Sequence, residues 1–201
     1  MYRLKYECLK CGICCSIPQN LKDDYIKRIP LYPEEVDRLI EIAKYRNLPF
    51  KVKEDLVFPD IKNKKILVLT YRFILRPQGR CVFYDVNKGC IIHEEKPYAC
   101  QAYPLAIRRI DSFNIEITID PLCNFVSENY ASLKDISIDR IKDIFVDEYP
   151  KAEKFYEKNK RLQLKIRRLE EENKIQISRQ ITLKQFNYAL NNWDRKEIRV
   201  K

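Results

Sequence analysis

The segment from Glu7 to Pro18, ECLKCGICCSIP, decides how the rest of the chain is interpreted. It places Cys8, Cys11, Cys14 and Cys15 close together, with only short spacers between them. Three chemistries explain such a density of sulfur: a disulfide framework, a reactive nucleophile or a set of metal ligands. The remainder of the sequence discriminates between them.

Four further cysteines follow singly, at Cys81, Cys90, Cys100 and Cys123. Thiolates are soft ligands that suit Zn²⁺ and iron–sulfur clusters, and Gly12 permits a tight turn inside the first cluster. The run CLKCGIC matches the C-x2-C-x2-C spacing of bacterial ferredoxins, but the following cysteine is adjacent instead of spaced. The distant cysteines are single, unlike the pairs of a zinc ribbon. We therefore expect one or two metal centres, of zinc or iron–sulfur type, held by all eight cysteines.

Composition favours metal ligands over disulfides. The N-terminus lacks the apolar core of a signal peptide, and the longest apolar runs are too short to span a bilayer. We therefore expect a cytoplasmic protein without a membrane segment, in a compartment that keeps thiols reduced. The many Ile, Lys and Tyr residues, with one Met and one Trp, indicate a heat-adapted source. Intracellular disulfides of hyperthermophiles keep the disulfide alternative open.

Local patterns predict a mixed fold in the first part of the chain. A helix should begin at Pro33, because two acidic residues follow it and apolar residues recur at helical spacing. β-Branched and alternating residues predict strands, and Pro97 should lie near the start of a short helical turn. The predicted strands are 65–75, 80–85 and 113–120.

From Ser132 onward the pattern becomes helical, with Ser137 and Thr182 as predicted N-caps and Pro150 as a break or a new start. The fold class is therefore predicted as α+β, a small cysteine-rich metal-binding domain with a C-terminal helical appendage. The domains should cover residues 1–130 and 131–201.

The appendage carries most of the positive charge. Residues 151–201 hold 15 Lys and Arg against 7 Asp and Glu, whereas residues 1–150 hold 24 against 22. This asymmetry predicts a nucleic acid or another anionic partner for the basic C-terminal helices, as in an RNA- or ribosome-associated protein, with a solvated helix as the alternative. A heptad-like seam that includes Asn159, Leu162 and Ile166 predicts a helix that packs within its own chain in a monomer, in preference to a homodimer.

The cysteine pattern, together with the residues around it, resembles the CxxCxxCC cysteine-cluster family, whose members are described as chelating zinc or iron. The resemblance covers roughly residues 5–125, and Lys96 and Gln101 stand where the family usually has Arg. It implies metal binding by the cysteines. The matching positions are Cys8, Cys11, Cys14, Cys15, Pro33, Glu34, Glu35, Cys81, Phe83, Cys90, Ile92, His93, Pro97, Cys100, Tyr103 and Pro104.

Redox or methyl-transfer chemistry is the enzymatic alternative that the resemblance allows. The chain has only three glycines, however, and no G-x-G-x-x-G or P-loop motif can be drawn. His93 is the single histidine, and we expect it to hydrogen-bond a ligand sulfur instead of ligating. We therefore predict a structural or interaction module, with no catalytic residue assigned.

Overall fold

The computed structural model describes residues 4–16, 29–111 and 113–200. Helices and strands are mixed along the chain, which confirms the α+β fold class. The elements are β1 (Pro30–Leu31), α1 (Pro33–Tyr45), β2 (Val52–Asp60), β3 (Lys65–Phe73), β4 (Tyr84–Asp85), β5 (Gly89–Cys90), α2 (Tyr98–Ala102), β6 (Leu105–Arg109), β7 (Ile115–Ile119), α3 (Asn124–Glu128), α4 (Tyr130–Leu133), α5 (Ile138–Ile144), α6 (Tyr149–Glu171), α7 (Leu183–Asn192) and β8 (Asp194–Glu197).

These elements form two compact units. Unit 1 comprises residues 1–29 and 75–157, and unit 2 comprises residues 30–74 and 158–201. This division differs from the boundary that the sequence suggested near residue 130. Residues 30–74 belong with the C-terminal segment because β8 pairs with β3, a pairing between distant segments that no local pattern encodes.

Unit 2 is built on a sheet in which β3 lies between β1 and β2, with β8 added in parallel to β3. Helix α1 begins at Pro33 as predicted, and the Tyr32 amide donates to the Glu35 carboxylate over 3.0 Å in a capping box. The central strand β3 is apolar and buried, and Ile66 and Val68 pack with Ala189 of α7. The strand and helix predicted at these positions are confirmed.

The C-terminal part of α6 buries its apolar seam in unit 2. Leu162 and Ile166 are buried in the single chain. The polar residue of the seam, Asn159, accepts a hydrogen bond of 2.7 Å from the Tyr32 hydroxyl. Lys158 pairs with Glu34 and lies 4.6 Å from the centre of the Tyr32 ring. A hydrogen-bonded Asn therefore continues the seam without leaving a buried amide unsatisfied.

Unit 1 combines two small hairpins, β4–β5 and β6–β7, with helices α2 to α5. Tyr6 anchors the N-terminal segment, because its amide donates to the Ile144 carbonyl over 2.8 Å and its ring packs against Phe125 and Phe145. The Ser137 hydroxyl caps α5, as predicted. The strand predicted over residues 80–85 was too long, because the Tyr84 amide turns back to the Cys81 carbonyl and only residues 84–85 pair with β5.

None of the helices in the described segments combines the length and the apolar character that crossing a bilayer requires.

Candidate metal centre

All eight cysteines lie in unit 1, and unit 2 contains none. All eight are free thiols in this structure, with Cys123 buried, Cys11 exposed and the other six between these extremes. They come from a loop, a hairpin and the starts of two short helices. The fold therefore gathers segments that are far apart in sequence into one sulfur-rich region.

The first four cysteines lie on a loop that turns at Gly12. This residue has a φ of +79°, a conformation that favours glycine, and it precedes a short 3₁₀ turn over Ile13–Cys15. The Cys15 amide closes the turn by donating to the Gly12 carbonyl over 2.9 Å. The absent side chain also makes room, since a Cβ at Gly12 would lie 2.1 Å from the Tyr84 ring.

The hairpin that carries Cys81 and Cys90 is fixed directly to this loop. The Cys81 amide donates to the Cys15 carbonyl over 2.7 Å, and Ser16 forms a β-bridge with Arg80. At the other end of the hairpin, a Cβ at Gly89 would lie 2.8 Å from the Lys10 carbonyl oxygen. Gly12 and Gly89 therefore allow the loop and the hairpin to approach closely enough for their sulfurs to meet.

Five sulfurs form one group: Cys14, Cys15, Cys81, Cys90 and Cys100, called here the five-cysteine group. The Sγ atoms of Cys14 and Cys15 are 3.8 Å apart. Cys15 also hydrogen-bonds Cys90, and the charges of Cys14, Cys81 and Cys90 all act on Cys100. The α2 helix thus brings its single cysteine to the thiols of the loop and hairpin.

The electrostatics of this group resist the accumulation of negative charge. Burial, followed by repulsion from neighbouring thiolates, raises the pKa of Cys81 to about 11 and the pKa of Cys100 well above its usual range. The hydrogen bond with Cys15 lowers the pKa of Cys90, assisted by the Ile92 amide and the Lys96 charge. A bound cation would relieve the same repulsion, because it compensates thiolate charge and displaces the protons.

The other three cysteines, Cys8, Cys11 and Cys123, interact around Tyr6 and are called here the three-cysteine group. The Tyr6 hydroxyl donates to Cys123, and the charges of Cys8 and Cys123 act on Tyr6. The charge of Cys11 in turn raises the pKa of Cys123. Burial is the largest cause of the raised pKa of Cys123, although the Val126 and Phe125 amides at the start of α3 oppose it.

The donor set consists of thiols, which suit a tetrahedral zinc or iron site or an iron–sulfur cluster. The Cys14 and Cys15 sulfurs lie 3.8 Å apart, which shows how closely the thiols of this region are packed. As the side chains stand, no three Cys, His, Asp or Glu residues in the described segments enclose a metal-sized space. The assignment of the eight cysteines as ligands therefore stays a prediction.

His93 does not make the predicted hydrogen bond to a sulfur among the described residues. Its Nδ1 lies 3.2 Å from Glu94, and its Nε2 lies 3.3 Å from the Lys96 ammonium. Lys96 itself acts on the sulfurs, because its charge lowers the pKa of both Cys90 and Cys100. Sequence reasoning noted Lys96 only as a replacement for the usual Arg of the resembled family, and it missed Tyr6, whose closeness to Cys8 in the chain was the available signal.

A family model described as "Putative zinc- or iron-chelating domain", CxxCxxCC, matches residues 7–124, which is more than half of the chain. The chain belongs to the CxxCxxCC family. The match begins one residue before Cys8 and ends one residue after Cys123, so it contains every cysteine. The expected resemblance is confirmed, and metal binding by zinc or iron is the property that the family contributes.

A curated relative of this CxxCxxCC protein is an uncharacterized protein of Methanocaldococcus jannaschii. It is 26% identical over 113 residues, which cover 52% of this chain and 47% of the relative. The chain thus spans about half the length of the curated relative that it matches. The comparison with solved structures found no match.

Proposed function

We propose that the CxxCxxCC domain holds a single zinc or iron ion in a tetrathiolate site, and that this site acts as a structural clamp for an interaction module. The proposed ligands are Cys14, Cys81, Cys90 and Cys100. The observation that carries the proposal is the convergence of the five-cysteine group from three separate segments of unit 1.

The choice of four ligands follows from their mutual interactions. The charges of Cys14, Cys81 and Cys90 raise the pKa of Cys100, and the charges of Cys90 and Cys14 raise the pKa of Cys81. Cys15 instead shares hydrogen bonds with Cys14 and Cys90, two of the four proposed ligands. In this arrangement the Cys15 thiol donates hydrogen bonds to the ligand sulfurs. Groups around a metal site usually orient its ligands in this way.

The described segments that carry these cysteines have only short secondary structure, which agrees with a structural role for the metal. Strands β4 and β5 have two residues each, and the 3₁₀ turn over Ile13–Cys15 contains no buried residue. Isolated two-stranded hairpins are marginal in water. Zinc bound by thiolates contributes on the order of 10 kcal/mol to folding, enough to fix such segments.

Metal content and coordination test the proposal most directly. Protein purified without oxygen should contain one equivalent of zinc or iron, and X-ray absorption should show sulfur neighbours at about 2.3 Å. A zinc site would be colourless. An intense visible band that dithionite bleaches, with inorganic sulfide present, would instead identify an iron–sulfur cluster and reject the mononuclear site.

Two cysteine variants separate the groups. Cys81→Ser should abolish metal retention, because it removes a proposed ligand. Cys123→Ser, whose sulfur belongs to the three-cysteine group, should keep one equivalent under the same chelator challenge. Equal loss in both variants would contradict the four-ligand assignment, and two equivalents in the wild type would show that the three-cysteine group also contributes ligands.

Hydrogen exchange with and without chelator tests the structural role of the metal. Removal of the metal should speed amide exchange in residues 81–100 of unit 1, while the β3 amides of unit 2 keep their protection. Restoring zinc should restore the slow exchange. Unchanged exchange after complete metal removal would show that the ion does not hold the segment.

A further inference from the structure

Unit 2 holds the whole net charge of the protein. Its residues 30–74 and 158–201 contain 22 Lys and Arg against 12 Asp and Glu, whereas unit 1 contains 17 of each. The net charge of +10 therefore belongs to the unit without cysteines. A basic surface of this kind attracts anionic polymers through phosphate or carboxylate contacts.

A groove of about 510 Å³ opens on the surface of this unit. It is lined by Ile61 and Lys64 of the β2–β3 turn, by Ile181, by Lys184 and Tyr188 of α7, and by Trp193. Lys184 and Tyr188 are four residues apart on one helix, so they share a face. No Asp or Glu is among the described residues that line the groove.

The two aromatic side chains that line the groove differ in exposure. Tyr188 is 62% exposed, whereas Trp193 is half-buried and packs against the cluster of Ile66, Val68 and Ala189. A buried aromatic side chain normally contributes to a core. The exposed Tyr188, which lines the groove together with Trp193 and two lysines, is instead open to solvent. Flat aromatic faces next to ammonium groups match nucleotides, whose bases stack and whose phosphates need cations.

Hydrogen bonds connect the segments that carry the walls of the groove. The Asp60 carboxylate is fully buried, and it accepts hydrogen bonds from the Asn63 side chain over 2.5 Å and from the Gln176 amide over 3.0 Å. The Ile61 amide donates to the Gln176 carbonyl over 2.9 Å. Thr182 caps α7 in a reciprocal box with Gln185. Such preorganisation lowers the ordering cost of binding.

We propose that this groove binds single-stranded nucleic acid. A base stacks on Tyr188 and Trp193, and the flanking phosphates contact Lys64 and Lys184. The charge complementarity of the groove and its unit selects a polyanion, and the aromatic lining selects one with planar groups over an acidic peptide. The site lies in unit 2 and uses no cysteine, so it stands independently of the metal centre.

Trp193 provides the readout, because it is the single tryptophan of the chain. The full-length protein is titrated with 12-nucleotide oligo(U) and oligo(dT), and both intrinsic fluorescence and the anisotropy of labelled strands are recorded. Stacking should quench the tryptophan in step with binding. A preference for oligo(U) would identify RNA as the ligand, and equal binding would identify single strands of either kind; both support the groove.

Matched variants locate the site. The double variant Lys64→Gln/Lys184→Gln removes two proposed phosphate contacts. It should reduce the magnitude of the slope of log K against log[salt] by about 1.4, because each phosphate contact on a single strand contributes about 0.7. The control changes the exposed Lys51 and Lys53 of the same unit to Gln and should leave the slope nearly unchanged. Tyr188→Leu should weaken binding about five- to hundredfold. Tyr45→Leu, which alters a tyrosine that is 91% exposed on α1, should not.

Three results would overturn the proposal. Binding without quenching of Trp193 would place the nucleic acid elsewhere, and equal losses in both lysine pairs would indicate diffuse charge attraction. Tighter binding of a 12-residue poly-Glu peptide or of phosphatidylserine vesicles than of either oligonucleotide would assign the basic unit to another partner. Melting temperatures equal to that of the wild type exclude misfolding of the variants as the cause of a loss.

Discussion

The contact between Gly12 and Tyr84 makes the architecture of the cysteine loop testable by a double-mutant cycle. Gly12→Ala places a Cβ 2.1 Å from the ring, so the Tyr84 side chain must move away. The displaced ring then loses the hydrogen bond of 3.3 Å from its hydroxyl to the Cys11 carbonyl. It also loses the Arg80 guanidinium, which lies 5.7 Å from the ring centre.

The expected cost has two parts. A non-glycine residue at positive φ costs about 1–2 kcal/mol. Loss of the hydrogen bond and of the cation–π contact adds about 1–2 kcal/mol, giving about 2–4 kcal/mol for Gly12→Ala in the wild-type background. In a Tyr84→Ala background only the backbone part remains, about 1–2 kcal/mol. The coupling energy between the two positions is therefore about 1–2 kcal/mol.

Urea unfolding of the four proteins, followed by far-ultraviolet circular dichroism at equal metal content, measures this coupling. The unfolding midpoints and slopes give the free energies, and metal released at each midpoint is recorded in parallel. A coupling below about 0.5 kcal/mol, within the range of additive sites, would refute the packing of the loop on Tyr84. A large effect of Gly12→Ala in both backgrounds would assign the cost to the backbone alone.

Three other predictions concern buried polar groups. Tyr32→Phe should lower the free energy of unfolding by about 1 kcal/mol, because it removes the donor to Asn159; adding Asn159→Leu should recover part of the loss in urea unfolding. Asp60→Asn should cost about 1–3 kcal/mol, seen as a lower melting temperature, since its buried carboxylate accepts several hydrogen bonds; Asp194→Asn, at an exposed carboxylate, is the control. Burial raises the pKa of Glu148 above 4.5, so its ionised form destabilises the fold above that raised pKa. Glu148→Gln should therefore raise the melting temperature at pH 7 to 8 and lose this advantage below about pH 4, and a benefit independent of pH would contradict this assignment.

Elements with strong local patterns were predictable from the sequence. Helix α1 has a proline start and apolar residues at helical spacing, and α5 and α7 have the predicted Ser137 and Thr182 caps. Strand β2 was missed because its charged residues and register shifts near Leu56 disturb the alternation that marks a half-buried strand. Strand β8, with the sequence DRKE, has no apolar residue, and it forms only because β3 offers it a partner.

The grouping of the cysteines could not be derived from their spacing. The run from Cys8 to Cys14 suggests three ligands of one cluster, as in ferredoxins. In the structure the turn at Gly12 separates them, so that Cys14 joins the distant Cys81 and Cys100 while Cys11 acts on Cys123. Spacing identifies which residues are chemically suited to a metal, but the backbone conformation at one glycine decides which of them meet.

Charge shows the same dependence on the fold, and it connects the two proposals. Segment counts put the positive charge in the last quarter of the chain, but the pairing of β3 with β8 adds residues 30–74 and leaves unit 1 neutral. If the proposed tetrathiolate site binds one divalent ion, its four thiolates would leave unit 1 with a formal charge of about −2. Under the two proposals, an anionic polymer would be repelled by the metal-loaded unit 1 and attracted to unit 2, where the aromatic groove lies. We therefore propose that metal loading would restrict such a polymer to unit 2 through charge alone, although the groove itself uses no cysteine.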